Sequence, residues 1–311
     1  MAASLASLSY SIKTGVQPLF NRYGSHRLRP SCLVPLPPSI GKHITSCSWR
    51  QLSMKKQSAL ETTDGAVNVE LDDDEEEETC ELVNRTEVSI DSVEAHLLTA
   101  VKNNNGTGLL LLSDVFGFQD SSTRDFAYRV ACNGYKQCSC PGPFPWRSMV
   151  ENRPKSEYEE WRRGQDLNRI RNDIRTLTEW MVDEFAAAGI SKLGVIGFCF
   201  GGGRVVDVLA ADKNGYFSTG ISFYGTRIDS EVAGDVNVPV LFIAGDTDPL
   251  CQLEVLKEIK EKIGEGSKVV VFEGRGHGFV HRPKTPEDDK DAEEAFSVTR
   301  NWLHQNLLRG N

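Results

Sequence analysis

"KLGVIGFCFGGGRVVDVLAA", residues 192–211, decides how the chain is read. "LGVIGF" is apolar at successive positions, as a strand covered on both faces must be. "GGRVVDVLAA" has the composition of a buried helix. Between them stands Cys199, two residues after Gly197 and two before Gly201. A strand that turns sharply into a helix crowds its neighbours. Glycines two positions either side of the turn residue relieve that crowding. The thiol then faces the positive end of the helix that opens at Phe200, which favours its thiolate form. A small buried cysteine at a tight turn is the competing account, and the rest of the chain must decide.

The strand–helix pattern extends outward from this turn. "TEVSI" and "EAHLLTAV" read as an antiparallel hairpin and "LLLLSDV" as a strand. "SSTRDFAYRVACNG" reads as a helix capped by Ser121 or Ser122 and closed by "NG". "YKQCSC" is a strand, and "PGPFPW" at 141–146 opens an irregular stretch. A helix is expected over 166–188, then the strand at 193–198 and its helix. "FSTGISFYG" and "VPVLFIAGD" are strands, "PLCQLEVLKEIKEKI" a helix, "SKVVVFEG" a strand, and 286–308 the last helix. Alternation of this kind predicts an α/β fold: a mostly parallel, doubly wound sheet with helices on both faces. Sites in such sheets gather at the carboxyl ends of the strands.

The chemically useful residues fall there. Cys199 follows one strand, Asp246 and Asp248 in "AGDTDP" follow another, and His277 in "GRGHGF" follows a third. Asp114 in "LLLLSDVFG" ends a fourth. Cys, Asp, His is the chain order of an α/β-hydrolase triad, with Cys199 as nucleophile, His277 as base and then acid, and an aspartate orienting the imidazole. Gly-x-x-Asp spacing selects Asp248; Asp246 is the alternative, with a turn role as its other reading.

Composition limits the alternatives. The chain has 311 residues and a formal net charge of −9. Residues 1–60 contain no acid but eight basic residues: Lys13, Arg22, Arg27, Arg29, Lys42, Arg50, Lys55 and Lys56. Those eight removed from 35 leave 27 basic residues against 44 acidic ones, a balance near −17. Such a surface repels phosphate backbones, so nucleic acid is not an expected partner. No long apolar run predicts a membrane span. The Ser-rich, basic opening fits a transit peptide over 1–60, chloroplast (stroma) before mitochondrion, with the plastid import machinery as partner. "ELDDDEEEE" at 70–78 reads as a solvated linker within 61–80, ahead of a folded domain at 81–311. Eight cysteines show no CxxC pair, which suits a reducing compartment.

"GFCFGG", "GDTDPL" and "GHGF", with "SDVFG" at 113–117 and "NGY" at 133–135, resemble the dienelactone hydrolase (carboxymethylenebutenolidase-like) family over about residues 88–308. With its leader, the chain resembles the plastid-targeted plant members. The resemblance implies an α/β-hydrolase fold and a Cys199–Asp248–His277 triad. It also implies an oxyanion hole from the Val115 and Phe200 N–H groups, no metal and no cofactor. Asp114 occupies the position of a family glutamate that engages the resting thiol. Tyr224 matches a pocket-lining tyrosine. His281 occupies the place of an arginine that clamps a substrate carboxylate, with Arg282 beside it. The second arginine of that clamp corresponds to Arg153 or Lys155. Gly142 stands where an aspartate is usual.

The function expected is hydrolysis of a small ester, lactone or thioester through an acyl-enzyme, by a monomer acting on a small-molecule acyl substrate. Two other readings stay open: a small-molecule receptor on a hydrolase fold, and a thiol redox sensor in which Cys138 or Cys140 approaches Cys199.

Overall fold

The computed structural model describes residues 83–308, apart from 103, 119, 141–159, 162, 188, 190 and 191. The expected transit peptide, the acidic linker, Gly142, Arg153 and Lys155 lie outside the described residues. Strands β1 (Val83–Ile90) and β2 (Val93–Ala100) form the opening hairpin, with Val83 opposite Ala100. Asp91 and Ser92 turn it with φ of 47° and 70°, as a two-residue hairpin loop requires. β2 then pairs antiparallel with β4 (Lys136–Cys140).

Every remaining pairing is parallel. β3 (Thr107–Leu112) lies between β4 and β5 (Lys192–Phe198). Beyond β5 come β6 (Phe217–Phe223), β7 (Val240–Gly245) and β8 (Lys268–Phe272). The spatial order is β1-β2-β4-β3-β5-β6-β7-β8. The order reverses at β3, so the crevice beyond the carboxyl ends of β3 and β5 is the natural site of chemistry.

Successive residues of β3 and β7 are all buried, although they point to opposite faces. Both faces of the sheet are therefore covered there. Each fully buried Leu or Phe contributes about 1.5–3 kcal/mol. Helix α1 (Ser121–Cys132) follows β3, and α2 (Leu167–Ala187) precedes β5. α2 buries Ile170, Ile174, Leu177, Met181 and Phe185, one stripe at three-to-four-residue spacing. α3 (Phe200–Ala211) leaves the cysteine turn directly. α4 (Leu253–Ile263) joins β7 to β8, and α5 (Pro286–Leu303) closes the domain.

Several boundaries differ from the sequence expectation. The cap of α1 is Asp120, whose Oδ1 accepts from the Ser122 N–H at 2.9 Å; neither Ser121 nor Ser122 caps it. α4 begins at Leu253, not at Pro249, because the Asp248 Oδ1 captures the Leu250 N–H at 2.8 Å and holds that stretch as a turn. The last helix is α-helical only to Leu303 and widens to a π turn over His304–Leu308. β8, although apolar at Val269, Val270 and Val271, is an edge strand of the sheet and leaves Val271 exposed.

Candidate active site

Cys199 stands at the junction of β5 and α3 with φ 51° and ψ −113°, a conformation costly for a residue with a Cβ. Three backbone bonds hold it there. Its N–H donates to the Phe223 carbonyl, and its own carbonyl accepts from Gly203 and Thr226, each at 3.0 Å. A Cβ at Gly197 would strike the Gly201 carbonyl, and a Cβ at Gly201 would strike the carbonyls of Leu112 and Ser113. These glycines are therefore needed for close backbone approach. That approach seats the turn against the end of β3. Phe200 opens α3 immediately after the turn.

Asp248 and His277 meet across the ends of β7 and β8. The His277 Nδ1–H donates to Asp248 Oδ2 at 2.7 Å, and the Asp248 side chain is wholly buried. Asp246 takes the turn role: its Oδ1 accepts from the Gly274 N–H at 2.6 Å. Thr247 binds the same loop through the Arg275 carbonyl, at 2.7 Å from its hydroxyl. The His277 Nε2 is buried without a hydrogen bond of ordinary geometry, yet Cys199 acts on the ring. Burial works against a charged ring here. The hydrogen bond to Asp248 and the interaction with Cys199 overcome it and push the His277 pKa up to about 10.

The accessory residues form a second cluster. Asp114, buried, accepts from the Phe116 N–H at 2.9 Å through Oδ1. Its Oδ2 accepts from His281 Nε2 at 2.9 Å and from Arg282 Nη2 at 2.8 Å. The hydrogen bonds of Asp114 therefore go to these partners, not to the thiol. Burial alone would raise its pKa; the bond from His281 and the Arg282 guanidinium more than reverse this and hold it low. Arg282 also donates to Asp120, at 3.0 Å from Nη1. Its charge is balanced by two carboxylates.

Tyr224 is fully buried at φ 37°, and its hydroxyl lies 2.5 Å from His281 Nδ1. Burial drives its pKa well above the ordinary phenol value, with the nearby Asp114 and Cys199 adding to the effect. Burial likewise lowers the pKa of His281, against the pull of Asp114.

Sequence reasoning missed Cys251. It is buried close enough to Asp248 and Cys199 for both to act on it. Burial first, then those two groups, push its thiol up to about 12. Its position two residues beyond the Pro249 turn was the available signal. Among the described residues, no group of His, Cys, Asp and Glu is arranged to hold a metal ion, and no helix is long and apolar enough to cross a membrane.

A nucleophile-type turn after β5, an acid after β7 and a histidine after β8, on a sheet of this order, define an α/β-hydrolase. The chain belongs to the Dienelactone hydrolase family, whose model matches residues 93–307. It is therefore a hydrolase of ester and lactone bonds. The Carboxymethylenebutenolidase homolog of Xenopus tropicalis is 30% identical over 230 residues, covering 70% of this chain and 89% of that protein. The Homo sapiens homolog is 28% identical over 229 residues, covering 70% and 90%. Among solved structures, a putative dienelactone hydrolase from Klebsiella pneumoniae superposes with a TM-score of 0.60 at 19% identity. That match covers 72% of this chain and 99% of the other, and it carries the fold alone.

Proposed function

We propose that the protein hydrolyses a small, uncharged ester, lactone or thioester through a Cys199–His277–Asp248 triad and an acyl-enzyme. The observation that carries this is the part-buried 2.7 Å bond from His277 to Asp248, with Cys199, strained in its turn, acting on the same ring. His277 carries a proton at neutral pH, as its raised pKa supports. The Cys199 sulfur, whose proton His277 holds, attacks the carbonyl carbon as a thiolate, and the carbonyl π pair moves onto oxygen. The N–H groups of Val115 and Phe200 receive that oxyanion. Collapse expels the alkoxide or thiolate, which takes the His277 proton; in a lactone it stays tethered. His277, now neutral, removes a proton from water. The hydroxide attacks the thioester, and breaking the C–S bond releases the acid and restores the sulfur.

The charge around the site supports an uncharged acyl group. Arg282, next to the position associated with carboxylate recognition, is held between Asp114 and Asp120. The acidic balance of the chain after residue 60 acts in the same direction. We further propose that residues 1–60 direct the protein to the plastid stroma.

Turnover of aryl esters, lactones and acyl thioesters by the full chain and by Cys199→Ala tests the mechanism. Activity lost in the variant supports it. Equal activity in both proteins rejects Cys199 as nucleophile.

A further inference from the structure

We propose that His281 is a positioning residue for the reaction. Gripped by Asp114 through one ring nitrogen and by Tyr224 through the other, it fixes the loop that carries His277 against the ends of β3 and β6. The proposal rests on the reading of Cys199 and His277 given above.

The proton positions follow from the chemistry of the partners. Asp114, paired with Arg282, is an ionised acceptor, so His281 Nε2 carries the hydrogen in their 2.9 Å bond. Nδ1 is then the lone-pair nitrogen. It accepts the Tyr224 O–H. The ring and the phenol are both neutral, and the one negative charge is met by Arg282. Phe198, the residue before the nucleophile, stacks on the His281 ring with centroids 4.5 Å apart.

What this chain of contacts touches gives it a role. Tyr224 packs edge-on to the His277 ring at 5.1 Å. It also directly follows Phe223, whose carbonyl accepts the Cys199 N–H. Asp114 directly precedes Val115 of the proposed oxyanion hole. His281 itself lies four residues beyond His277, and the Arg282 N–H closes the turn on the Gly278 carbonyl at 2.9 Å. One side chain thus ties together the segments that supply the base, the oxyanion donor and the brace of the nucleophile. A packing role alone needs no polar group: an apolar side chain fills such a space without two buried partners to satisfy.

The test uses the full chain with an aryl acetate, and iodoacetamide as a probe of Cys199. In His281→Leu, kcat is expected to fall at least thirtyfold with KM within about threefold. The acid-side alkylation of Cys199, given as the rate at pH 6 relative to pH 9, should fall about tenfold. His281→Gln, which can still donate and accept, should recover most of both. Tyr224→Phe keeps the ring and loses only the hydroxyl; it should move both readouts in the same direction by a smaller factor. It also serves if the leucine variant does not fold. A lowered melting temperature with unchanged kcat and alkylation profile assigns His281 to packing and overturns the proposal, as does a glutamine variant no better than leucine. If Cys199→Ala retains turnover, the triad reading itself falls. If that variant is dead while the His281 and Tyr224 variants behave as wild type, only the positioning role falls.

Discussion

Asp246 and Asp248 stand two residues apart in one turn and face different partners: Asp248 binds the His277 imidazole, while Asp246 binds the Gly274 amide of the same loop. One orients a ring, and the other holds the strip of backbone that carries it. Asp248→Asn should lower kcat/KM by about 10²–10⁴, the usual worth of a positioned acid–base group. Asp246→Ala should cost about 1 kcal/mol of stability, the value of one hydrogen bond, and change kcat/KM far less. Steady-state kinetics and urea unfolding on both variants measure the contrast; equal kinetic losses would reverse the assignment.

Stability should depend on pH through His277. Its pKa is raised from 6.5 to about 10 in the folded protein, so the folded state holds a proton that the unfolded chain releases. The resulting contribution is fully present below pH 6.5 and disappears as pH climbs to about 10. Denaturant unfolding across this window should show declining stability. Asp248→Asn, which removes the partner favouring the charged ring, should flatten that decline. An identical slope in the variant would mean that another group controls it.

Gly201→Ala probes the turn that presents the thiol. A methyl there meets the carbonyls of Leu112 and Ser113, backbone atoms that cannot rotate away. Overpacking of this kind costs about 1–3 kcal/mol. It should also separate Phe200 from Val115 and reduce kcat in the protein that still folds. Unchanged kcat in the folded fraction would remove those two N–H groups from oxyanion binding.

A paired-substrate measurement tests the preference for uncharged acyl groups. A neutral lactone should exceed its carboxylate-bearing analogue in kcat/KM by about tenfold, because Arg282 is occupied by Asp114 and Asp120. Faster turnover of the carboxylate would mean that Arg282 leaves those partners when substrate binds.

For the leader, residues 1–60 fused ahead of a fluorescent protein should carry it into plastids in a plant cell. Mitochondrial fluorescence would replace the destination, and diffuse fluorescence would remove the transit role.

The sheet and its order of elements were legible because apolar runs, glycines and turn residues act locally. Cys199, Asp248 and His277 could be named for the same reason: each follows its own strand. What the sequence hid is contact between distant rims. His281 and Asp114 are 167 residues apart, and no spacing announces that they pair. The resemblance sets Asp114 at the place of a thiol-engaging glutamate, one methylene short of its reach; the pairing with Arg282, 168 residues away, leaves no local mark in the sequence. The cap of α1 was misplaced by one residue because Ser121, Ser122 and Asp120 all suit a helix start. The extended backbone at Asp120, ψ 133°, and its side-chain bond from the Ser122 N–H single it out.

Cys199 is only 8% exposed. An acyl carbon meets the sulfur only after passing the atoms that cover the residue, so the packing of the turn bears on turnover as directly as the chemistry of the thiol.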